Sequence, residues 1–353
     1  MTTTGTTSKQ REQATRKTGS QSGQPIVAGV RSDLHTMLLP MFAEQNEIHD
    51  LETVIDGCRI RIRSHDAGVR IPTFMDQKIM MLLAAHIRDV IQSGGQPTRH
   101  INIDRREVID LIGGGGSTGG SDYRRVTERL QRLHSTKITA ETAISADVSR
   151  RRHFSWIDAF EEDILHTDKG KEVIGLKISL SVDAFRWITQ GDGFDMTRER
   201  FKSITSAQSS CSRIYAICLA NLIYAKGEDV YIQIEDLRLR VPSADTLKGF
   251  KKRPLSKAIE LISASPDMSR YLSVSLVRKT EDGFIPLDGR APLESVYIRV
   301  CKGPDALPSI NKLLPLSETG GDTRSLSAAE SLVELLTDRG SSAFTDTEMA
   351  DMS

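Results

Sequence analysis

Two stretches of the sequence combine basic residues with apolar residues at helical spacing. Residues 121–137 contain five bases and two acids, a net charge of +3. Residues 248–260 contain five bases and one acid, a net charge of +4. Arginine forks match guanine edges and phosphates, and lysine holds a phosphate as a point charge. Both stretches therefore have the residue types that suit contact with the major groove of duplex DNA.

The first stretch predicts a helix from Ser121 to His134. Its apolar stripe consists of Tyr123, Val126, Leu130 and Leu133. The other positions form a polar face, and its predicted DNA-binding residues are Ser121, Arg124, Arg125, Glu128, Arg129 and Arg132. The alternative is a solvated amphipathic helix whose charges pair with one another at i,i+4 spacing.

The second stretch predicts a helix from Pro254 to Ser263, with Pro254 in its first turn. Bases then crowd the N-terminal end of the helix, where the macrodipole disfavours cations, and this favours a phosphate partner. The predicted buried stripe is Leu255, Ala258, Ile259 and Ile262. The predicted DNA-binding residues are Lys251, Lys252, Arg253, Ser256 and Lys257.

The elements that must position these helices occur twice in one order: long helix, short strand, short helix, basic helix and two strands. The first copy is predicted at 76–91, 101–103, 105–112, 121–134, 137–142 and 154–160, with Asp104 as N-cap of the short helix and a Gly-rich turn over 113–120. The second copy is predicted at 209–226, 230–233, 234–240, 254–263, 272–278 and 295–301. This order is typical of a winged helix, a helix-turn-helix followed by a β-hairpin wing.

The predicted fold class is therefore α+β, with two tandem winged-helix domains and disordered termini. A basic N-terminal tail, residues 1–30, and an acidic, mostly flexible C-terminal tail, residues 304–353, are predicted to flank the domains at 31–195 and 196–303. Arg150, Arg151 and Arg152 fall between the two predicted strands of the first wing. A basic wing tip suits phosphate or minor-groove contact, and a solvated loop is the alternative.

Several function classes lack their signatures. The 353 residues carry 47 basic and 47 acidic side chains, so net charge alone does not indicate a nucleic-acid partner. GGGGSTGG lacks the GK[ST] ending of a phosphate-binding loop, and the eight histidines form no His-x-His pair of a nicking enzyme. We expect a non-enzymatic protein without metal or cofactor. With no signal peptide or apolar span, we expect it in the cytoplasm and away from membranes.

Three segments resemble the plasmid replication initiator protein A family of alphaproteobacterial plasmids: GGSDYRRVTERLQRLHSTKITAET, RRRHFSWIDAFEED and SSCSRIYAICLANLI. The resemblance runs from about Asp33 to about Lys302. It implies tandem winged helices that bind origin repeats, favour opening of AT-rich DNA, recruit host replication proteins such as a helicase or its loader, and repress their own promoter. It places the recognition helices at Tyr123 to Arg132, with Tyr123 in the core, and at Lys251 to Lys257.

The expected partners are double-stranded origin repeats, those host proteins and a second copy of the chain in a homodimer. Three other functions stay open at this point. A winged-helix transcriptional repressor would need the same groove contacts without a replication role. A nuclease or strand transferase would show metal-dependent nicking. A protein-interaction scaffold would show no salt-dependent binding to duplex DNA.

Overall fold

Helices and strands are interspersed along the chain in an α+β fold. The computed structural model describes residues 29–43, 48–55, 57–112, 120–143, 147–167, 170–205, 209–241 and 245–314. No helix in these ranges is both long and apolar enough to cross a bilayer.

The helices are α1 Leu34–Leu38, α2 Phe74–Gln92, α3 Arg105–Ile112, α4 Gly120–Ser135, α5 Val182–Gln190, α6 Arg198–Thr205, α7 Ser209–Tyr224, α8 Ile234–Arg240, α9 Leu247–Phe250, α10 Ser256–Ala264 and α11 Pro266–Ser269. A π-helical turn, Lys251–Leu255, joins α9 to α10, and a 3-10 turn covers Leu293–Ser295. The strands are β1 Gly29–Asp33, β2 Asp50–Ile55, β3 Cys58–Ser64, β4 His100–Ile103, β5 Thr136–Ala143, β6 Ser149–Phe154, β7 Ile157–Thr167, β8 Gly170–Leu180, β9 Gly193–Thr197, β10 Val230–Gln233, β11 Leu272–Thr280, β12 Gly283–Pro286 and β13 Val296–Lys302.

The first four elements of the repeated order, up to the basic helix, are present in both halves. β4 lies between α2 and α3, and it pairs with β8, which pairs with β7. β10 lies between α7 and α8 in the same way, and it pairs with β13, which pairs with β11. In each half the short strand thus joins the later of two antiparallel strands that follow the basic helix.

Local signals in the sequence predicted several of these elements correctly. The bounds of α3, β10 and α8 are those predicted. Asp104 caps α3, because its Oδ1 accepts a 2.7 Å hydrogen bond from the backbone N–H of Arg106. The Gly-rich turn before α4 lies outside the described residues up to position 119.

In the first wing the strand predicted at 137–142 is present as β5, but the predicted hairpin of the wing was wrong. β5 pairs with β6 on one side and with β3 on the other, in a separate sheet of order β2-β3-β5-β6. The predicted strand over 154–160 is two strands, because β6 ends at Phe154 and β7 begins at Ile157. The hairpin beside β4 is instead β7 with β8. Ile138 of β5 faces Ile62 and Phe154 across the sheet, and this buried contact holds β5 away from the hairpin.

The second basic helix begins earlier than predicted. It runs over residues 247–264, where α9, the π turn and α10 follow one another without a break. Thr246 caps it by accepting a 3.2 Å hydrogen bond from the backbone N–H of Gly249. Pro254 lies inside this helix rather than in its first turn. Proline has no N–H to give to an α-helical ladder, and the π turn accommodates it, with Ser256 N–H donating to the Lys251 carbonyl.

Both predicted tails were drawn too long. Val30 is buried in β1, which pairs with β9. At the other end, Asn311 accepts a hydrogen bond from Arg31, and the Leu314 N–H donates to the Thr189 carbonyl at 2.8 Å. Residues 304–314 therefore return to the first half of the chain. Residues 1–28 and 315–353, which carry the rest of both predicted tails, lie outside the described residues.

Candidate nucleic-acid interface

The first basic helix, α4, has one buried side and one exposed side. Val126, Leu130 and Leu133 are at most 1% exposed, as the stripe predicted. The Arg124 and Arg125 side chains are 83% and 66% exposed. The side chains of Ser121 and Tyr123 lie outside what the structure describes. The exposed side of α4 therefore offers two arginines near its N-terminal end.

Both exposed arginines pair with acids of the same helix. Arg124 Nε donates to Glu128 Oε1 at 2.8 Å, and Arg125 Nη1 donates to Asp122 Oδ1 at 3.2 Å. Such exposed pairs contribute only about 0–1 kcal/mol each. A phosphate or a guanine edge can therefore replace these acids at little cost.

Arg129 and Arg132 were predicted on the DNA-binding face, and the structure places them elsewhere. Both bind the carboxylate of Asp76 in α2, which is 0% exposed. Arg132 donates to both Asp76 oxygens at 2.8 Å, and Arg129 donates to one at 3.3 Å. Asp76 also accepts from the Thr73 backbone N–H at 2.7 Å at the start of α2. These two arginines therefore hold α4 against α2, and their predicted contact with DNA stays a prediction that their contact with Asp76 does not favour.

The surroundings of Arg129 and Arg132 shift the pKa values of the two guanidinium groups in opposite directions. Burial lowers the pKa of Arg129, which has the weaker contact with Asp76. Burial also acts on Arg132, but the hydrogen bonds and charge of Asp76 outweigh it and raise the pKa. Both groups remain cations at neutral pH because arginine titrates far above it.

A buried contact fixes α3, α4 and β7 to one another. Arg105 of α3 is 2% exposed, and it donates to Thr127 Oγ1 of α4 at 2.8 Å. Arg105 also pairs with Glu162 of β7 at 3.2 Å, and Thr127 donates to the same carboxylate at 2.6 Å. The two helices before the hairpin and the first strand of that hairpin are therefore held as one unit.

The second basic helix also buries its predicted stripe. Leu255, Ala258 and Ile262 are at most 1% exposed, and Ile259 is half-buried. Four of the five predicted DNA-binding residues of this helix are exposed: Lys252, Arg253, Ser256 and Lys257. Lys251 is half-buried.

These residues carry weak polar contacts. Arg253 binds Asp245, and its side chain remains 70% exposed. The Ser256 hydroxyl donates to the Lys251 carbonyl at 2.8 Å, and Lys257 lies 3.4 Å from Glu260. Since the helix begins at Leu247, these bases lie in its middle and not at its N-terminal end. The argument from the helix dipole for a phosphate partner therefore fails, and the support that remains is the exposure of the cations.

Arg150, Arg151 and Arg152 lie along β6, the edge strand of the four-stranded sheet, and not between two wing strands. Arg151 donates to Glu141 of β5 at 2.8 Å. Arg152 is bound to Asp183 of α5, and Arg150 is exposed. Their predicted position at a wing tip was wrong, because β5 and β6 form their own hairpin in a different sheet. Their contact with DNA stays a prediction.

A third basic surface lies on β3 and was not predicted from the sequence. Its sequence CRIRIRS alternates strictly, and Ile60 and Ile62 are buried while the three arginines between and beside them are exposed. Arg61 binds Asp50 at 2.5 Å, and Arg59 lies 3.8 Å from Glu52. The period-two alternation was the available signal for this strand. Its exposed ion pairs with β2 are as weak as those of α4, so pairing alone does not distinguish the two surfaces. β3 belongs to the sheet β2-β3-β5-β6 and not to either basic helix, and its arginines therefore serve as the control in the DNA-binding tests.

Three comparisons with known proteins bear on this arrangement. A family model described as replication initiator protein A matches residues 31–263. A crystal structure of selenomethionine derivatives of domain 2 and domain 3 of RctB is similar at 13% identity with a TM-score of 0.48, covering 78% of this chain and 99% of that chain. A crystal structure of RctB domains 2-3 is similar at 12% identity with a TM-score of 0.45, covering 77% of this chain and 97% of that chain. No curated protein matches the chain significantly.

Proposed function

The chain belongs to the replication initiator protein A family, and from this we propose that it initiates plasmid replication by sequence-specific binding to duplex repeats of an origin. Membership of the family supports the replication role. The exposed cations of α4 and of the second basic helix support duplex DNA as the ligand. The observation that carries the proposal is that α4 buries its apolar stripe and exposes Arg124 and Arg125.

We further propose that each half is a winged-helix unit. The supporting observation is the shared strand order, β4-β8-β7 and β10-β13-β11, around a helix pair that precedes the hairpin. The predicted border between residues 195 and 196 cuts β9, which pairs with β1 along its length. Arg198 of α6 also binds Glu107 of α3. We therefore place the border of the two units after α6.

In the first unit, the proposed reading residues are Arg124 and Arg125. Arginine forms bidentate hydrogen bonds with the O6 and N7 atoms of guanine, and one such pair discriminates by about 1–3 kcal/mol. Glu128 accepts from a cytosine amino group in this proposal, since its carboxylate is 47% exposed beside Arg124. Arg129 and Arg132 hold α4 in position through their ion pairs with Asp76 of α2.

In the second unit, Lys252, Arg253 and Lys257 hold phosphates. Each phosphate contact releases condensed counterions, so binding weakens as salt rises, with a slope of about −0.9 per contact in B-DNA. Two units on one chain also make the spacing of the origin repeats a geometric constraint.

Later steps remain predictions of the same proposal. Bending of the bound repeats would favour opening of adjacent AT-rich DNA, driven by binding energy from several copies. Repression of its own promoter, recruitment of a helicase or its loader, and a homodimer belong to this group. No described contact bears on any of them.

Footprinting on the DNA that flanks the gene tests the proposal. We expect protection of regularly spaced repeats by the full chain, and loss of that protection with Arg124→Ala and Arg125→Ala combined. The matched control is Arg59→Ala with Arg61→Ala, which also removes two exposed, ion-paired arginines. Protection that survives the first pair of changes, or is lost equally with the control, contradicts the assignment of α4. A plasmid maintenance assay separates the alternative, because a repressor without a replication role binds the repeats and does not sustain the plasmid.

A further inference from the structure

A cavity of about 70 Å³ lies between α2 of the first unit and α7 of the second. Its walls also include parts of β1, α1, β9 and α6. Most of the wall is apolar and is supplied by Met37, Phe74, Met81, Met196, Phe201 and Leu219. Two basic side chains, Lys78 and Arg213, also line the cavity and supply its charge.

Lys78 is a buried cation with little to compensate its charge. It is 7% exposed, and its Nζ lies 5.7 Å from the centroid of the Phe201 ring. No carboxylate among the described residues pairs with it. Burial lowers the pKa of Lys78 to about 8, and the positive charge of Arg129 acts in the same direction. At neutral pH the ammonium is therefore still charged, and a ring face offers it only a weak contact.

Arg213 adds a second positive charge to the same wall. It is 2% exposed, and its guanidinium donates to the backbone carbonyls of Thr36, at 2.7 Å, and Leu39. It also lies over the Phe74 ring, 5.1 Å from the centroid. These partners satisfy its hydrogen bonds and are all neutral, so they do not cancel its charge.

The carboxylates on the surrounding elements have other partners or face solvent. Asp76 of α2 binds the two arginines of α4, and Asp33 of β1 accepts from the Trp187 indole at 2.7 Å. Asp195 of β9 accepts from Arg88 at 2.9 Å. Glu199 of α6 is exposed. The cavity therefore has two cations and no described carboxylate of its own, and a buried cation without an anion is costly.

We propose that this cavity binds a small organic anion, a monocarboxylate with a short apolar chain. The carboxylate would lie against Lys78 in a charge-assisted hydrogen bond, with Arg213 adding to the attraction. The chain would lie against the methionines and phenylalanines, and methionine adapts well to such a shape.

The size of the cavity limits the ligand. With a volume of about 70 Å³, the cavity suits a ligand of a few heavy atoms. Because both units supply the walls, a bound anion would also stabilise their contact.

Calorimetric titration of the full chain at neutral pH tests the proposal with three probes of equal chain length: butyrate, n-butanol and n-butylammonium. We expect saturable binding of butyrate at one site, binding of n-butanol that is at least about tenfold weaker, and no binding of n-butylammonium. Equal binding of butyrate and n-butanol, or no saturable butyrate binding, overturns the proposal. This titration contains no DNA, so its result is independent of the proposed function.

Two variants locate the site. Lys78→Met removes the charge and keeps the length of the side chain, and we expect butyrate to bind at least about tenfold more weakly. Lys137→Met, at an exposed lysine of β5, is the matched control and should bind butyrate as the unmodified chain does. Ala216→Leu fills the cavity from α7 while Lys78 is retained, and it should abolish binding. Butyrate binding that persists in Lys78→Met or in Ala216→Leu overturns the assignment of this cavity.

Discussion

The two basic helices share a pattern of basic and apolar residues and have different surroundings in the fold. In α4, the arginines divide into a pair that binds the buried Asp76 of α2 and a pair that is 66% or more exposed. In the second basic helix, Lys252, Arg253, Ser256 and Lys257 are all exposed, and the contacts of Arg253 and Lys257 are with surface acids. By the number of their basic residues, the two helices are nearly equal candidates for DNA binding. Only half of the α4 arginines, however, are available to a ligand.

The difference shows that the role of a cation depends on where its acid lies in the fold. Asp76 is 53 residues from Arg129 and 56 from Arg132, and it is fully buried. Breaking such a buried pair is strongly destabilising, whereas exposed pairs contribute about 0–1 kcal/mol. The first helix therefore combines arginines that anchor it with arginines that are exposed, and the second has exposed cations without such an anchor; in the proposed function these exposed cations contact DNA. Four predictions test this comparison.

The largest effect is expected from Asp76→Asn. This change leaves two half-buried guanidinium groups and a fully buried position without the carboxylate, and we expect it to lower the free energy of unfolding by about 3–5 kcal/mol. Urea unfolding followed by circular dichroism measures it. The matched control is Asp122→Asn, which removes the surface partner of Arg125 and should cost less than about 0.5 kcal/mol. Equal losses in the two variants would mean that Asp76 does not anchor α4.

Arg132→Met should have the next largest effect. It removes the arginine that makes two hydrogen bonds to Asp76 and leaves Arg129 as a partner, so we expect a loss of about 2–3 kcal/mol in the same assay. Arg124→Met removes an arginine that is 83% exposed and should change stability by less than about 0.5 kcal/mol. A stable Arg132→Met protein with weakened DNA binding would return Arg132 to the DNA-binding face.

Lys252→Ala with Arg253→Ala tests the second helix. We expect little change in stability, and a slope of log affinity against log salt that is smaller by about 2, one for each phosphate that is no longer bound. Titration of a labelled origin fragment at several salt concentrations gives the slope. Arg59→Ala with Arg61→Ala is the control and should leave the slope unchanged. An unaltered slope in the Lys252 and Arg253 variant would reject phosphate contacts at this helix.

The smallest effect is expected from Glu128→Gln. Removing this acid frees Arg124 from a surface pair, and binding to non-specific duplex DNA should strengthen about twofold to threefold. Affinity measured on a duplex of unrelated sequence checks this, with stability within about 0.5 kcal/mol of the unmodified chain. Weaker non-specific binding would show that Glu128 does not compete with DNA for Arg124.

The sequence predicted those features that depend on near neighbours in the chain. The bounds of α3, β10 and α8, the cap at Asp104 and the buried stripes of α4 and α10 follow from periodicity and local hydrogen bonds, which act over a few residues. Strand pairing depends on distant segments, and the prediction failed there. β5 was predicted to be a wing strand, but one of its edges pairs with β3. The first residue of β3 lies more than 70 residues before the first residue of β5.

The early start of the second basic helix shows a different limit. Judged from its near neighbours alone, Pro254 predicts the start of a helix, because proline has no N–H and its φ is fixed. The structure retains the helix through Pro254 by a π turn, with Leu255 and Phe250 both fully buried on either side of it. Burial of these two side chains is a property of the packed fold, and it outweighs a local preference for a break.

By itself, the sequence determined that the chain contains two basic amphipathic helices in a repeated order of elements, because helical spacing and charge are written in consecutive residues. The tertiary structure decided which cations are available, since a buried carboxylate more than 50 residues away binds Arg129 and Arg132. It also brought Lys78 of α2 and Arg213 of α7 to one cavity. Electrostatic pairing and burial act through space, and distances through space are set only when the chain has folded.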